Sequence, residues 1–586
     1  MAPSHGIDDK GSIVGMTDKP GVGRRTAGSV AWLMASRLMA RGIDFAALIV
    51  LARTLSPQDF GLISVAMTLI FIVEAVSELP IVQSLVRLDQ ISRSHLDTAF
   101  TIGLIRGGLL ATVIVLAAFP FSWAYADARL VPLILFLALA PITRGLQSPA
   151  MVQYARRIDF RRDLIIEIVS KVCGFSVATG LAVTTHSYWA IAAGTVATPL
   201  IALLQSYAFA PFKPRISLSQ WRSFAGFLGW ASLAQALGAL SWQSDKLILG
   251  RFISKADLGH FSLAADLSSV PEQVLVAPAM RPLMAGFVTM KESRDRIARA
   301  YQRISLTLLT IAAPGMVGLS LVADQLVPVV LGDHWVSSIP MLRWLSLAPV
   351  FVVWVSPLDP MAMAMDRTSI FLRQRVIEIC IKIPLLLALI WSYGVMGAVI
   401  GRVVTNAIMM IVTMGFVRSL TGLSLRRQLA GPWRIALAIA AMATAILLLP
   451  DTVRKSLSLL GVITTVGVGG LSYVTMLLAT WIVVGRPEGM ESMVMAHFKQ
   501  IGSRFGLVGG QTSAPVVSDD ARYKSRMRSG RSRPATRSRT ARQLPATLPF
   551  RSTQGSGRSA LTWLLPKLRV ISHRPSWTGI VPLRIR

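Results

Sequence analysis

Charged residues are scarce in this chain: Asp, Glu, Lys and Arg make up 15% of its 586 residues, whereas soluble proteins carry about 25%. The sequence has no Gly-Lys dipeptide, which excludes the phosphate-binding loop of ATP-driven proteins. None of the seven histidines precedes a glutamate, so there is no H-E-x-x-H metal motif. The only two cysteines, Cys173 and Cys380, lie in apolar runs and are expected to pack there as small apolar side chains. Nothing in the sequence predicts a metal, a cofactor or catalytic residues, and we interpret the chain as a non-enzyme.

Long apolar runs are abundant instead: hydrophobic residues make up 53% of the chain, and the mean hydropathy is +0.57. Because a helix needs roughly 20 apolar residues to cross a bilayer, the sequence predicts an all-α integral membrane protein. The 14 predicted transmembrane helices are 29–51, 60–83, 98–121, 130–150, 164–184, 189–209, 224–249, 260–288, 304–330, 338–362, 370–392, 395–417, 434–450 and 459–484.

Lysine and arginine are distributed unevenly between the two sets of predicted loops. Alternate loops, with the N-terminal segment, carry 25 basic residues, and the other set carries six. Basic residues are enriched in cytoplasmic loops. We therefore predict a multi-pass protein with both termini in the cytoplasm.

One sixteen-residue segment occurs twice. Residues 51–66 read LARTLSPQDFGLISVA and residues 249–264 read LGRFISKADLGHFSLA, with seven identities at a constant offset of 198. Transporters built from repeated halves place the substrate path between the halves and alternate access by moving one against the other. The repeat therefore indicates a transporter.

The repeat also predicts how the chain is divided. Two pseudo-symmetric lobes of six helices, related by an approximate two-fold axis normal to the membrane, should be followed by two additional helices. The predicted segments are a cytoplasmic N-terminal tail 1–28, a first lobe 29–209, a second lobe 224–417, two C-terminal helices 434–484 and a basic cytoplasmic tail 511–586.

The tail 511–586 holds 16 basic residues against Asp519 and Asp520. Its Ser-, Pro- and Gly-rich composition is typical of disordered segments. We favour a solvated tail attracted to anionic membrane lipids over nucleic-acid binding, which such a run can also indicate. An extension without function remains an alternative.

Charged side chains inside the apolar spans are the candidate site residues, because a charge at the bilayer centre costs about 2.5 kcal/mol or more. An excess of arginine there favours an anionic substrate, since the planar guanidinium matches phosphate. The alternative is that side chains near helix ends extend to the headgroups. The candidate substrate-binding residues are Arg37, Arg41, Asp44, Arg106, Arg144, Lys246, Arg281 and Arg402.

Two further pairs have a Glu-x-x-x-Lys spacing. Glu167 and Lys171 lie in the fifth predicted span, and Glu378 and Lys382 lie in the eleventh. Residues four apart face each other on a helix, so each pair is predicted to be an intrahelical, structural ion pair.

The repeated segment, together with RRIDFRRDLIIEIVSK at 156–171 and the basic run 291–303, resembles the polysaccharide-export flippases of the multidrug/oligosaccharidyl-lipid/polysaccharide superfamily, which include succinoglycan-type exporters. The resemblance covers roughly residues 28 to 484. It implies a two-lobed helical transporter of the bacterial inner membrane that moves undecaprenyl-pyrophosphate-linked glycans, driven by an ion gradient (H+ or Na+) or the membrane potential. A polysaccharide polymerase and a chain-length regulator are the implied partners.

Two other functions remain open at this point. An ion-coupled multidrug exporter of the same superfamily would be expected to carry net acidic charge in its interior, whereas basic residues prevail here. A membrane-embedded glycan polymerase, ligase or scaffold would be expected to have a long outer loop, and the predicted outer loops are short.

Overall fold

A computed structural model describes most of the apolar part of the chain, and all of it belongs to one compact unit within residues 1–508. Within this part the regular secondary structure is helical. The predicted tails 1–28 and 511–586, and Arg37, lie outside the described residues. The described residues are 39–76, 85, 91–156, 159, 161–221, 230–290, 293–367, 369–454 and 456–485.

The first half contains four helices of 20 or more residues and, between residues 130 and 156, three short ones. The predicted span 130–150 is divided at Ala138 and ends in a 3-10 turn at Pro149–Met151. The chain bends by 49° between residues 130–145 and 149–156. The helices of this half are α1 (39–54), α2 (Pro57–Val76), α3 (Arg93–Ala124), α4 (Leu130–Leu137), α5 (Leu139–Gly145), α6 (Val152–Arg156), α7 (Arg161–Thr185) and α8 (Trp189–Phe209).

The second half contains a helix of 53 residues that spans two predicted segments. It turns at Gly394, whose φ of 57° and ψ of −133° are not helical and suit a residue without a Cβ atom. The helices of this half are α9 (Trp230–Phe252), α10 (Lys255–Leu275), α11 (Met280–Val288), α12 (Arg294–Leu326), α13 (Ile339–Leu345), α14 (Ala348–Val355), α15 (Leu358–Ala364) and α16 (Ser369–Thr421).

The C-terminal helices pack together and against α12. They are α17 (Leu425–Ala430), α18 (Trp433–Leu447), α19 (Asp451–Arg454) and α20 (Leu459–Val483). Met442 and Tyr473 are buried between α18 and α20, and the Tyr473 hydroxyl donates to the carbonyl of Thr310 in α12 at 2.9 Å. The two additional helices are thus attached to the second half of the chain.

Fewer helices qualify as membrane spans than the sequence predicts. In the described ranges, nine helical segments are long and apolar enough to cross a bilayer, and the bent pair formed by 130–145 and 149–156 would be a tenth. Three features account for the difference: α16 counts once although it contains two predicted spans, α1 is described over only 16 residues, and α9 and α10 are not apolar enough to qualify. The count of 14 stays a prediction.

Helices α2 and α10 pack along each other at the position of the sequence repeat. A Cβ atom on Gly61 would overlap the carbonyl of Lys255, and one on Gly259 would overlap the carbonyl of Pro57. These contacts exchange partners under the 198-residue offset. They are the contacts expected of two segments related by a local two-fold axis.

The same contact continues one turn further along both helices. The hydroxyl oxygens of Ser64 and Ser262, also 198 residues apart, lie 2.7 Å from each other and are buried. A local axis must therefore pass between these two hydroxyls. The superposition of whole lobes, 29–209 on 224–417, stays a prediction.

Each of these two helices begins with a serine cap. The Ser254 hydroxyl accepts from the amide of Asp257 at 3.1 Å, and the Ser56 hydroxyl accepts from the amide of Asp59 at 3.2 Å. The repeated serine therefore supplies the N-cap, and the repeated aspartate, three residues later, accepts from the serine hydroxyl. The Asp59 carboxylate also accepts from the Ser56 amide at 3.3 Å, so serine and aspartate cap the start of α2 reciprocally.

Trp335 lies at one end of the helix bundle, next to the contact between α2 and α10. It is fully buried, its indole N–H donates to the carbonyl of Ala52 at 2.7 Å, and its ring packs edge-on against Phe60 and His260. Arg53 donates to the carbonyl of Val330 at 2.8 Å. The connections after α1 and α12 are therefore held together at one end.

Candidate functional site

Three charged side chains from α1 and α7 form what we call the Asp44 cluster: Arg41, Asp44 and Lys171. Lys171 Nζ lies 2.6 Å from Asp44 Oδ2, and Arg41 Nη1 lies 3.6 Å from the same oxygen. One carboxylate is shared by two cations, so the cluster carries a formal charge of +1. The Asp44 side chain is 42% exposed and that of Lys171 is 24% exposed.

A second trio, from α9 and α16, forms the Asp245 cluster: Asp245, Lys382 and Arg402. Lys382 Nζ lies 3.1 Å from Asp245 Oδ1, and Arg402 Nη1 lies 3.7 Å from Asp245 Oδ2. Lys382 also donates to the carbonyl of Ser241 at 2.7 Å, and the Arg402 guanidinium stands 5.5 Å from the ring centre of Trp242.

The two clusters occupy corresponding places in the repeat. In both, an aspartate of the first helix of a half pairs with a lysine of that half's fifth predicted span. The aspartates are 201 residues apart and the lysines 211, close to the 198 of the repeated segment. The environments differ, because the side chains of Asp245 and Lys382 are only 2% and 9% exposed. The Asp44 cluster is therefore accessible, and the Asp245 cluster is buried.

Two other predicted site residues pair with acids on neighbouring helices. Arg144 in α5 forms an ion pair with Glu74 in α2, and Lys246 in α9 lies 3.0 Å from Asp266 in α10. Each pair joins two helices of one half. Both basic residues thus have an acidic partner nearby.

The structure says less about the three remaining candidate substrate-binding residues. Arg106 is half-buried in α3, with its Nε shielded from solvent. Arg37 lies outside the described residues, as does the side chain of Arg281. The structure therefore brings Arg41 and Asp44 together in one cluster and places Arg402 in the other.

The intrahelical Glu–Lys pairs require a correction. Lys171 and Lys382 pair with aspartates of other helices rather than with Glu167 and Glu378. Glu378 instead lies 2.7 Å from Arg375 Nη1. In both clusters the aspartate of a neighbouring helix, and not the glutamate one turn away on the same helix, lies within ion-pair distance of the lysine.

Sequence reasoning missed that Asp245, with Ser241 and Trp242, would surround Lys382 and Arg402. A signal was present, because Asp44 and Asp245 fall in the first predicted span of each half at nearly the repeat offset. Charged residues at matching repeat positions are candidates for matching contacts.

An ion pair outside the predicted spans stabilises the turn between α3 and α4. In the turn after α3, the Arg129 guanidinium donates to Asp127 at 2.9 and 3.0 Å. This hydrogen bonding lowers the pKa of the Asp127 carboxyl below its usual value, against a smaller opposing effect of burial.

Solved structures with the same fold are membrane transporters. The structure of the lipid II flippase MurJ, in an inward closed conformation, superposes with a TM-score of 0.63 at 13% identity, covering 77% of this chain and 99% of that one. A multidrug resistance transporter of the MATE family, inward-facing, gives a TM-score of 0.50 at 14% identity and covers 66% and 94%. The chain therefore shares the multi-pass, all-helical fold of these two proteins.

Proteins of similar sequence are named for polysaccharide biosynthesis. Residues 50–340 match the family described as polysaccharide biosynthesis protein. The succinoglycan biosynthesis transport protein ExoT of Rhizobium meliloti is 26% identical over 330 residues, 55% of this chain and 65%, just under two thirds, of that protein. The lipopolysaccharide biosynthesis protein WzxC of Escherichia coli is 23% identical over 420 residues, 70% and 84% of the two chains. These matches confirm the resemblance to polysaccharide transporters stated above.

Proposed function

We propose that this protein translocates a lipid-linked anionic oligosaccharide, of the undecaprenyl-pyrophosphate class, across the bacterial inner membrane for surface polysaccharide biosynthesis. The relatives named for succinoglycan and lipopolysaccharide biosynthesis support the substrate class. The fold shared with a lipid II flippase supports transfer of a lipid-linked molecule. In this proposal an H+ or Na+ gradient or the membrane potential drives transport. A polysaccharide polymerase and a chain-length regulator act on the product.

The observation that carries the proposal is the Asp44 cluster. Two cations share one exposed carboxylate, so one positive charge is left to attract an anion. A pyrophosphate approaching Lys171 and Arg41 would exchange water and part of the Asp44 contact for charge-assisted hydrogen bonds, which are the stronger ones. The corresponding Asp245 cluster is sealed, which makes it a structural counterpart rather than a second binding site.

In this proposal, the charged residues within the helices of the first half have the following roles. Lys171 and Arg41 hold the phosphate groups, and Asp44 keeps both cations extended until substrate arrives. Arg106, half-buried in α3, contributes positive charge further along the path. Ion pairs such as Arg144 with Glu74 keep the helices in register during the movement.

The proposal is tested with Lys171→Gln and Arg41→Gln in cells lacking the native gene. Loss of a charge-assisted contact to phosphate costs about 1.5–3 kcal/mol, or about ten- to a hundredfold in affinity. Surface polysaccharide should therefore fall strongly while the protein accumulates normally in the membrane, and Lys171→Arg should retain part of the activity.

Arg343→Gln is the matched control, because Arg343 also forms an ion pair with a half-exposed carboxylate, Asp324, but lies outside the cluster. It should export glycan at the wild-type level. Wild-type export by both Gln variants of the cluster would refute the assignment of this site.

A further inference from the structure

A narrow cavity lies between α12, α14 and the segment that joins α16 to α17. Tyr301, Ser305, Trp354 and Gln428 are among its lining residues, and it encloses about 240 Å³ of empty space including its mouth. The enclosed part of this space is only large enough for a group of the size of a hydroxyl or a water molecule.

Two residues that line this cavity each carry a buried polar atom without a hydrogen-bond partner among the described residues. The two atoms are the hydroxyl of Tyr301 and Oε1 of Gln428. These two residues are 2% and 5% exposed. The Gln428 amide nitrogen is already used, because it donates to the carbonyls of Met414 and Leu423. Buried polar atoms are normally paired, so a group that both accepts and donates a hydrogen bond would complete this site.

The surroundings of the cavity are cationic and partly apolar. Arg299, Arg426 and Arg427 are exposed on α12 and α17, and the carbonyl of Arg427 is bonded by the Gln302 amide, which joins the two helices. Beside them Trp433 is 51% exposed, and exposed tryptophans are typical of the membrane–water interface. Basic residues near a membrane surface attract the phosphates of anionic lipids.

We infer that this cavity is a binding site for an anionic phospholipid with a hydroxyl-bearing headgroup, of the phosphatidylglycerol class. The lipid phosphate lies against Arg299 and Arg427. A headgroup hydroxyl enters the cavity, accepts from the Tyr301 hydroxyl and donates to Gln428 Oε1. A phosphatidylserine headgroup has the same net charge, but its ammonium and carboxylate would have to lose their hydration to enter a buried cavity of hydroxyl size, so it satisfies only the phosphate part of the site.

The test uses the full chain in nanodiscs of phosphatidylethanolamine with equal fractions of phosphatidylglycerol and phosphatidylserine, and native mass spectrometry of the retained lipids. One hydrogen bond contributes about 0.5–1.5 kcal/mol, so we expect about a two- to tenfold preference for phosphatidylglycerol. Tyr301→Phe should abolish the preference without lowering total anionic lipid. The double variant Arg299→Gln/Arg427→Gln should lower retention of both lipids equally, and Arg373→Gln, exposed on α16, should change neither.

A second measurement leaves the protein unchanged. Phosphatidylglycerol with methylated headgroup hydroxyls should bind wild-type protein no better than phosphatidylserine. If wild-type protein retains both natural lipids equally, water fills the cavity and the inference fails. It also fails if Tyr301→Phe, folded by size-exclusion chromatography, keeps the full preference.

Discussion

A carboxylate shared by two cations contributes little to stability in the Asp44 cluster and much in the Asp245 cluster, because the two carboxylates differ in exposure. Asp44 is 42% exposed and its ion pairs are screened by solvent, so each contributes about 0–1 kcal/mol. The Asp245 side chain is 2% exposed. Removing one partner of a buried pair leaves an uncompensated charge at a cost of about 3–5 kcal/mol.

Asp245→Asn should therefore destabilise the protein strongly, since Lys382 and Arg402 would both lose their carboxylate. Asp44→Asn removes the corresponding charge at an exposed position and serves as the matched control. We expect a large decrease in the thermal unfolding temperature of the purified protein for Asp245→Asn and a small one for Asp44→Asn. Similar decreases for both variants would contradict the difference in burial on which this prediction rests.

At the scale of single elements, the repeat supplies the closest interhelical contact described here. Gly61 in α2 and Gly259 in α10 bring the backbones together, and the hydroxyls of Ser64 and Ser262 meet beyond them. These residues could be selected from the sequence as a repeat, but nothing in it indicated that the copies would touch each other. Contact across a local two-fold axis depends on how the halves assemble, which no single segment encodes.

If transport requires α2 and α10 to separate, a covalent link between them should stop it. In a chain with Cys173→Ala and Cys380→Ala, the variant Ser64→Cys/Ser262→Cys places two thiols where hydroxyl oxygens lie 2.7 Å apart, so mild oxidation should form a disulfide. Export should stop on oxidation and return on reduction.

Ser268 is buried on α10, six residues further along, and its hydroxyl donates to the carbonyl of Ala265. Ser64→Cys/Ser268→Cys is therefore the control and should not cross-link. Undiminished export by the fully cross-linked Ser64/Ser262 variant would show that this contact does not open.

At the scale of the whole molecule, the length of the apolar runs predicted much of the helical pattern. The predicted span 189–209 coincides with α8, and the predicted boundary between 370–392 and 395–417 falls at the turn of Gly394. The partners of Lys171 and Lys382 could not be predicted in the same way. Helix-surface spacing favours Glu167 and Glu378, whereas burial between helices gives both lysines an aspartate far away in the chain.

The final prediction concerns which end of the bundle faces the cytoplasm. The structure joins three connections at one end: His186 Nδ1 lies 3.3 Å from the carbonyl of Thr54, and Trp335 donates to the carbonyl of Ala52. These connections follow the first, fifth and ninth predicted spans, so all three should lie on the same side of the membrane. The bias of 25 basic residues against six predicts that this side is the outer one.

Reporter fusions along the chain measure that orientation directly. Three fusions should report the outer side: those after Ser187, His334 and Tyr393. Three should report the cytoplasm: those after Arg161, Arg215 and Arg294. Because every span reverses the direction of the chain, one missing or additional helix would invert all later fusions. An inverted result at His334 but not at Ser187 would separate connections that the structure holds together, and would refute the predicted order of spans between them.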